Sequence, residues 1–263
     1  MLRKTAAATR MPHLFQPSGD AALAAVLRRA PVLAFDFDGT LAPIVTTPDQ
    51  ARISQSVSGK LRRLADQLPV AVVTGRSVDD VRGRLGFEPH YIVGNHGAEM
   101  GLATAEVSPE VLDPLRAALA ESGAALAQAG VAVEDKGLSL ALHYRLSRRP
   151  EEALALIRSV VGSAPTHCRS FGGKMVENVV PEGAPDKGVA VHALVGMFGA
   201  SCAVFVGDDV NDEPVFASAG ADWLTVRVGR EDPESQAEFF LDSTAEVGML
   251  LDRMLVHLAE PRT

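Results

Sequence analysis

Four short runs of apolar residues place the strongest constraint on how this chain can fold. Each run is continuously apolar rather than alternating, and each ends abruptly at a polar residue or a glycine. They span residues 32–35, 70–73, 91–93 and 203–206. Strands buried on both faces of a parallel sheet have this composition. Helical patterns lie between the runs, including those over 56–68 and 187–198, so the sequence predicts an α/β fold with a doubly wound parallel sheet.

The regular alternation of strands and helices breaks between residues 93 and 187. This segment is too long for one crossover, and it contains two helical and four strand patterns, over 109–128, 131–134, 138–145, 150–161, 166–171 and 175–180. In the second strand pattern, Leu138, Leu140 and Leu142 alternate with small or polar residues, which is typical of an antiparallel sheet with one solvated face. We therefore expect an inserted αββαββ unit, named the cap here.

These patterns predict a division of the chain into three parts. Residues 1–19, which contain no acidic residue, are expected to form a flexible tail. Residues 20–105 and 182–263 are expected to form the core domain, and residues 106–181 the cap. Glycines and prolines near the two crossings, at 101–109 and 181–185, mark predicted hinges between core and cap.

Charge and composition exclude several classes of protein. Of the 263 residues, 47% are hydrophobic and 22% are charged, which favours a packed globular protein over a disordered one. The net charge of −8 and the lack of a basic run weigh against a nucleic-acid partner. The chain contains no stretch of about 18 uncharged apolar residues, so the sequence predicts no membrane span. Cys168 and Cys202 lie far apart without CxxC spacing, which argues against a zinc site and gives no evidence for a disulfide framework, so we expect a reducing cytoplasm.

Two carboxylates directly follow the first apolar run. Asp36 and Asp38 stand two residues apart, and Gly39 after them lets the backbone approach a ligand closely. In open α/β sheets, ligands bind at the carboxyl ends of the strands. Several anions in one cleft are costly unless a cation neutralises them, and hard oxygen ligands select Mg²⁺. The sequence therefore predicts a magnesium site at this edge of the sheet.

A second acidic cluster follows the last apolar run in the same arrangement. It contains Asp208, Asp209 and Asp212. Alone, this segment could be an Asp-rich turn, or a fragment of an EF-hand-like loop without the later ligands. If its strand lies beside the first one, however, the carboxylates of both clusters converge on one metal ion.

Two further segments add groups that can bind an anion. Thr74 and Gly75 end the second apolar run, and a hydroxyl and a backbone N–H bind phosphate oxygens without adding charge. Arg76 can clamp a phosphate or its substrate, or cap a helix. Lys187 begins a predicted helix, where cations are disfavoured, so a functional role there requires an acid-rich phosphate site to compensate.

In this order, the four motifs resemble the haloacid dehalogenase-like phosphohydrolase superfamily, over nearly the whole chain. The resemblance implies that Asp36 attacks phosphorus to form an aspartyl-phosphate. It implies that Asp38 protonates the leaving oxygen and then activates the water that hydrolyses the intermediate. Thr74 and Lys187 would hold the transferring phosphoryl group. Phosphoryl transfer needs positioning and charge neutralisation, and these groups supply both.

The same resemblance implies the metal ligands. A magnesium ion would be held by Asp36, the backbone carbonyl of Asp38 and the carboxylate of Asp208. Asp209 or Asp212 would lie in the coordination shell or directly behind it. This set of hard oxygen ligands agrees with the magnesium site predicted from the acidic clusters.

Further segments are similar to the trehalose-6-phosphate phosphatases, whose cap has the element order predicted here. They span residues 94–99, 138–145, 173–177, 186–188, 224–229 and 237–241. The resemblance implies a small sugar phosphate, trehalose 6-phosphate, as substrate. The implied substrate-binding residues are Gly75, Arg76, Asn95, His96, Lys174 and Glu177. From the residues alone, His96 could instead order its loop, and Lys174 and Glu177 could form a cross-strand ion pair.

Two positions depart from that family and keep other functions open. Asn211 stands where the family usually carries threonine, and Gly172 stands where some members carry an acid. Alternative substrates are sucrose phosphate, mannosyl-3-phosphoglycerate and simple hexose phosphates. A phosphomutase of the same superfamily and a catalytically silent sugar-phosphate sensor are further alternatives, although this chain keeps the acids and the lysine that a sensor would lose. The sequence leaves the oligomeric state open.

Overall fold

The computed structural model describes residues 11–45, 48–100, 108–165, 167–230 and 234–260. Its β-strands are β1 Val32–Phe35, β2 Val70–Val73, β3 Tyr91–Val93, β4 Ala132–Asp135, β5 Leu140–His143, β6 Cys168–Gly173, β7 Val176–Pro181, β8 Ala203–Gly207, β9 Leu224–Val228 and β10 Phe239–Leu241. Its α-helices are α1 Pro17–Leu27, α2 Gln55–Ala65, α3 Val78–Leu85, α4 Asp113–Glu121, α5 Gly123–Gln128, α6 Pro150–Ser163, α7 Lys187–Met197, α8 Glu213–Ser218 and α9 Thr244–Ala259.

The larger sheet of the described residues has six parallel strands in the order β10-β9-β8-β1-β2-β3. Every residue of β1, β2 and β8 is buried, as expected for strands covered by helices on both faces. Phe35 and Phe205, on neighbouring strands, pack in one hydrophobic cluster with Leu61 of α2 and Leu251 of α9. The predicted doubly wound α/β fold is confirmed.

Three helices of the core domain begin next to a side chain that accepts a hydrogen bond from a backbone N–H. Ser54 accepts from Val57 at the start of α2, Ser77 begins α3 in the same way, and Asp186 accepts from Val189 at the start of α7. Such caps satisfy donors that the first helical turn leaves unpaired. They fix the points at which the chain turns from a strand end into a helix, and two of these turns carry residues of the candidate site.

The smaller sheet is antiparallel, with the strand order β4-β5-β7-β6. Leu142 of β5 and Val179 of β7 pack with Ile157 of α6 in a second hydrophobic cluster. Helices α4, α5 and α6 therefore cover one face of this sheet, and its other face lies toward the core. This is the inserted α+β unit that the sequence predicts. The predicted boundary at 105/106 lies within 101–107, outside the described residues, so the exact division of the chain stays a prediction.

The described part of the predicted tail lies against the core. The backbone of residues 12–14 pairs with β10: Leu14 N donates to the carbonyl of Phe240 at 2.9 Å, and Phe240 N donates to the carbonyl of Pro12 at 3.1 Å. Helix α1 then begins at Pro17. Residues 1–10 of the predicted tail lie outside the described residues. Among the described helices, none has the length and apolar composition required to cross a membrane.

Candidate active site

The residues predicted to carry the chemistry meet at the carboxyl edge of the parallel sheet. Asp36 follows β1, Thr74 follows β2 and Asp208 follows β8. Strand β1 lies between β2 and β8, so its neighbours bring the other two residues alongside Asp36. This edge is where open α/β sheets bind ligands.

Lys187 is the central cation of this edge. Its Nζ lies 2.8 Å from Asp36 Oδ1 and 2.7 Å from Asp212 Oδ1, and the residue is 1% exposed. Burial alone would lower the pKa of Lys187, but the carboxylates of Asp212 and Asp36 outweigh burial and raise it. The ammonium group is therefore charged, and the two carboxylates compensate for its position at the start of α7.

Three buried carboxylates form a cluster around this lysine. Oxygens of Asp36, Asp208 and Asp212 all lie within 4.8 Å of one another. Burial raises the pKa of Asp36 well above its usual range, and burial together with the charge of Asp212 raises the pKa of Asp208 to about 6. An excess of negative charge in a site that excludes water favours cation binding. Carboxylate oxygens at this spacing suit a hard divalent cation, so the residues fit the metal ion predicted from the sequence.

The backbone holds Asp212 in place within the cluster. Asp212 Oδ2 accepts hydrogen bonds from the N–H groups of Asp208 at 2.8 Å and Asp209 at 3.0 Å. A Cβ on Gly207 would lie 2.4 Å from the Asp212 carboxyl, so only glycine fits there. Asp209 lies at the side of the cluster, where its carboxylate accepts from Val210 N and from the backbone N–H of Lys174.

Gly39, like Gly207, leaves room for an acidic side chain, on the other side of the cleft between the two acidic segments. Its φ of +84° lies in the left-handed region, and a Cβ would lie 2.0 Å from Asp208 Oδ2. Thr40 Oγ1 lies 3.5 Å from Asp208 Oδ1. The glycine that follows Asp38 is thus required for the first acidic segment to approach the second.

Arg76 contacts two carboxylates. Its guanidinium forms a bidentate pair with Asp38, at 2.6 and 2.9 Å, and donates to Asp80 of α3 at 2.8 Å. Thr74 Oγ1 accepts from Arg76 N at 3.2 Å. The guanidinium thus faces carboxylates in this structure, and the predicted substrate contact of Arg76 stays a prediction. Arg76 restrains the carboxyl of Asp38 at the side of the cleft.

Polar side chains of the cap contact the core around the cleft. Lys174, in the turn between β6 and β7, places its Nζ 2.5 Å from Asp208 Oδ2. Lys136, in the turn between β4 and β5, donates to the carbonyl of Gly75 at 3.0 Å. Ser139 donates to Asn95 Oδ1 at 2.6 Å. Two cap lysines therefore lie over an acidic edge, which is the local positive charge that an anionic substrate requires.

Glu177 is the predicted substrate-binding residue that the structure does not bring to the cleft. Side chains alternate between the two faces of a strand, so Glu177 shares a face with Val179, which packs against the cap helices. Its Oε1 lies 3.7 Å from Arg158 of α6. The structure therefore places Glu177 on the side of the sheet away from the cleft, so its sugar contact stays a prediction without support from this placement, and the alternative ion pair with Lys174 is not formed, because Lys174 points to Asp208.

His96 lies where core and cap meet. It is buried, has a left-handed φ of 59°, and its ring packs edge-on against Phe171 of β6 with the centroids 5.0 Å apart. A Cβ on Gly75 would lie 2.3 Å from this ring. Burial, with the nearby charges of Lys136 and Lys187, lowers the pKa of His96 well below its usual value, so the ring is neutral near pH 7.

Four residues at the cleft were missed by the sequence analysis: Lys136, Ser139, Phe171 and Asn178. Lys136 and Ser139 lie at a turn that carries no motif, and their partners are distant in sequence. Asn178 does carry a signal. It stands one residue before Val179, so alternation along β7 turns it to the face opposite the cap helices, and it lies near the ring of His96.

Comparisons with known proteins agree with this geometry. A family model described as trehalose-phosphatase matches residues 34–244. The trehalose-phosphate phosphatase of Mycobacterium avium (strain 104) is 33% identical over 247 residues, which cover 86% of this chain and 62% of that protein. That of Mycobacterium tuberculosis (strain ATCC 25618 / H37Rv) is 30% identical over 252 residues, which cover 89% and 64%. The chain therefore spans less than two thirds of the length of these relatives.

Solved structures show the same fold. The C-terminal domain of C. albicans trehalose-6-phosphate phosphatase superposes with a TM-score of 0.72 at 20% identity, covering 94% of this chain and 97% of that one. A trehalose-6-phosphate phosphatase related protein superposes with a TM-score of 0.69 at 22% identity, covering 87% and 100%. At these identities the likeness supports the architecture, a parallel core sheet with a cap over its carboxyl edge.

Proposed function

The chain belongs to the trehalose-phosphatase family, and from this premise we propose that it hydrolyses trehalose 6-phosphate to trehalose and phosphate. The observation that carries the proposal is the network of Asp36, Lys187, Asp212 and Asp208 at the sheet edge, facing a cleft that two cap lysines approach. A fixed carboxylate nucleophile, a buried cation and a cation-binding acidic cluster are the groups that phosphoryl transfer needs.

In the first step, a carboxylate oxygen of Asp36 bonds to phosphorus as the bond from phosphorus to the sugar oxygen breaks. Lys187 donates a hydrogen bond to Asp36 Oδ1 at 2.8 Å. The other carboxylate oxygen is thereby oriented for attack. Asp38 donates a proton to the departing oxygen, which leaves as a hydroxyl group, and for this step its carboxyl turns away from the bidentate pair with Arg76, in which both oxygens accept. The products of this step are free sugar and an aspartyl-phosphate on Asp36.

In the second step, water attacks phosphorus and the bond from phosphorus to Asp36 breaks, which restores the carboxylate. Asp38, now ionised, takes the proton of the water. Thr74 and Lys187 hold the phosphoryl oxygens through both steps. A magnesium ion held by Asp36, Asp208 and the Asp38 carbonyl, with Asp212 and Asp209 beside it, would neutralise charge on the phosphoryl group when bound.

The choice of ester rests on the family and on the names of the relatives. We therefore propose trehalose 6-phosphate as the preferred substrate, and a cytoplasmic location in agreement with the cysteine pattern. The test is phosphate release from trehalose 6-phosphate, sucrose 6-phosphate, glucose 6-phosphate and mannosyl-3-phosphoglycerate, with magnesium and with a chelator. We expect the highest kcat/KM for the first ester and loss of release with the chelator.

The outcomes of this panel separate substrate from chemistry. Preference for a different ester would contradict the substrate and leave the phosphatase chemistry standing. Isomerised sugar phosphate without free phosphate would indicate a phosphomutase, and no turnover of any ester would indicate a sensor. Asp36→Asn is the matched control, because it keeps the shape of the side chain and removes the nucleophile.

A further inference from the structure

Four charged side chains are linked in a row from the cleft into helix α3. Asp38 accepts both bonds of the bidentate pair with Arg76, at 2.6 and 2.9 Å, and Arg76 Nη1 donates to Asp80 Oδ2 at 2.8 Å. Asp80 in turn accepts from Arg84, four residues further along α3. Arg76 therefore bonds to one carboxylate at the cleft and to another in the first turn of the helix.

Asp80 uses its two oxygens for different partners. Arg84 Nε donates to Asp80 Oδ1 at 3.0 Å, and Arg84 is itself anchored through Nη1, which donates to the carbonyl of Asp49 at 2.6 Å. Ser77 Oγ accepts from the backbone N–H of Asp80 at 3.3 Å. Burial alone would raise the pKa of Asp80, but the hydrogen bonds from Arg84 and Arg76 outweigh burial and lower it. Asp80 is therefore an ionised and fixed anchor for Arg76.

The guanidinium of Arg76 is shielded from water. Its side chain is 11% exposed, and its central carbon lies over the ring of Phe37, 5.3 Å from the centroid. Burial alone would lower the pKa of Arg76, but the carboxylates of Asp38 and Asp80 outweigh burial and raise it. A shielded cation is costly to separate from its anions. Asp80 keeps a carboxylate on this guanidinium regardless of where the carboxyl of Asp38 lies.

The proposed reaction requires Asp38 to leave this pair. When Asp38 gives its proton to the departing sugar oxygen, its carboxyl has to turn from the guanidinium toward the cleft. If Arg76 had no second carboxylate, this turn would cost the full interaction between a shielded cation and its anion. The bond to Asp80 reduces that cost, and it also holds Arg76 at the side of the cleft, so that the cation does not follow the released carboxyl.

We propose that Asp80 is a positioning residue for the general acid Asp38 and acts through Arg76. Asp80 keeps the guanidinium compensated and in place while Asp38 turns toward the leaving oxygen. The proposal rests on the proposed function, from which the role of Asp38 comes. It extends the set of residues that support the reaction into helix α3 and assigns to Asp80 no contact with the reacting atoms.

The test uses leaving groups that differ in their need for a proton. A sugar oxygen has to be protonated as it departs, whereas p-nitrophenolate is stable as an anion and leaves without a proton. For Asp80→Asn in the full-length protein, we expect kcat/KM for trehalose 6-phosphate to fall about tenfold, and kcat/KM for p-nitrophenyl phosphate to fall less than about twofold. A merely structural role would lower both values by the same factor, because it would reduce the amount of active protein.

Two further variants serve as controls. Asp79→Asn is the matched control, because Asp79 lies in the same helical turn, is exposed, and loses the same charge from the start of α3. It should leave the ratio of kcat/KM for the two esters unchanged. Asp80→Glu keeps a carboxylate and should bring this ratio back to within about threefold of the wild-type value.

A second variant and a clear contradiction complete the test. Asp80→Ser removes the carboxylate without turning an amide N–H toward Arg76 and Arg84, so it takes the place of Asp80→Asn if that protein does not fold. A wild-type ester ratio in Asp80→Asn and Asp80→Ser would overturn the proposal, and so would an equal change of the ratio in Asp79→Asn.

These outcomes are distinct from a failure of the proposed function, which is tested on the wild-type protein. If the wild type prefers another sugar phosphate, the proposed substrate is wrong. That ester then replaces trehalose 6-phosphate in the comparison, because the departing oxygen of every sugar ester needs the same proton. A selective loss for that ester in Asp80→Asn would still support the role of Asp80.

Discussion

The carboxyl edge of the core sheet and the cap-facing cavity beside it are built in opposite ways. At the edge, each charged group of the Lys187 network is paired with another, at distances of 2.7 to 2.8 Å, and is nearly inaccessible to water. In the cavity between β6 and the core, which Lys187 also lines, the ring nitrogens of His96 and Oδ1 of Asn211 are buried without a partner in good hydrogen-bond geometry among the described residues. The charged groups around Lys187 are paired before substrate binds, whereas these polar atoms of the cavity are not.

This difference separates two requirements of an enzyme. Groups that stabilise a transition state act best when they are fixed beforehand, and one continuous sheet fixes the edge. Groups that select a substrate gain discrimination when they stay unpaired unless the correct ligand is bound. The cavity meets this second condition because its walls come from cap strand β6 on one side and from loops and helix ends of the core on the other.

The largest effect on turnover should come from Asp36→Asn, which tests whether the carboxyl edge carries out the phosphoryl transfer. The amide keeps an oxygen for Lys187 but cannot form the aspartyl-phosphate, so kcat should fall by at least about three orders of magnitude. Phosphate release in single-turnover assays measures this. Trehalose binding, followed by calorimetry, should be kept, and a variant with more than a tenth of wild-type turnover would contradict the assignment.

Lys187→Met should have the largest effect on stability. It leaves Asp36 and Asp212 buried beside each other without their cation, and such losses cost about 3 to 5 kcal/mol of unfolding free energy. Urea denaturation in the presence of a chelator measures it. Lys60→Met is the matched control, because the carboxylate of its partner Asp252 is 57% exposed and the loss should be below about 1 kcal/mol. Equal losses of unfolding free energy in the two variants would contradict the prediction that the buried Lys187 network contributes more to stability.

Lys174→Met should change the affinity of the acidic cluster for magnesium. The ammonium group of Lys174 bonds to Asp208, a proposed metal ligand, so a bound cation and Lys174 compete for the same carboxylate. Removal of the lysine should tighten magnesium binding by about fivefold, which corresponds to about 1 kcal/mol. Calorimetric titration of the substrate-free protein measures this. Weaker magnesium binding in the variant would show that Lys174 supports the site instead.

The smallest predicted effect concerns pH and the neutral ring of His96. Its pKa lies well below the ordinary value of 6.5 in the folded protein, so below pH 6.5 the unfolded chain binds a proton that the folded chain does not. The contribution of His96 to stability is therefore full above this pH and decreases as pH falls. Between about pH 7.5 and about pH 5.5, wild type should lose on the order of 1 kcal/mol more than His96→Phe. Parallel curves for the two proteins would contradict the neutral ring.

The same contrast explains how far the sequence could predict the structure. Asp36, Thr74 and Asp208 each follow a continuous apolar run, and the rules of parallel sheets bring the ends of such strands to one edge. The positions of these residues in the fold therefore follow from local patterns. The order of strands in the sheet was not needed beyond the expectation that the two acidic strands are neighbours.

The cap contacts could not be derived in this way. The pairing of Ser139 with Asn95 and of Lys136 with Gly75 depends on how two sheets pack, which no local pattern encodes. The face of β7 on which Glu177 lies does follow from a local pattern, because Glu177 stands two residues before Val179, which packs in the cap. Where one face of a strand is buried, a shift of one residue exchanges the two faces. The apolar residue two positions along the strand therefore shows on which face a polar residue lies.

The position of β1 at the centre of the sheet has a consequence for how the protein is made. Val32 lies opposite Ala203, so β1 gains this neighbour only after the whole cap segment has left the ribosome. Pairings between such distant segments form slowly, because long loops must close first. The cap, whose strands are all close in sequence and which has a hydrophobic cluster of its own, can fold earlier. Until β8 arrives, the apolar side of β1 stays open to chaperones and to aggregation.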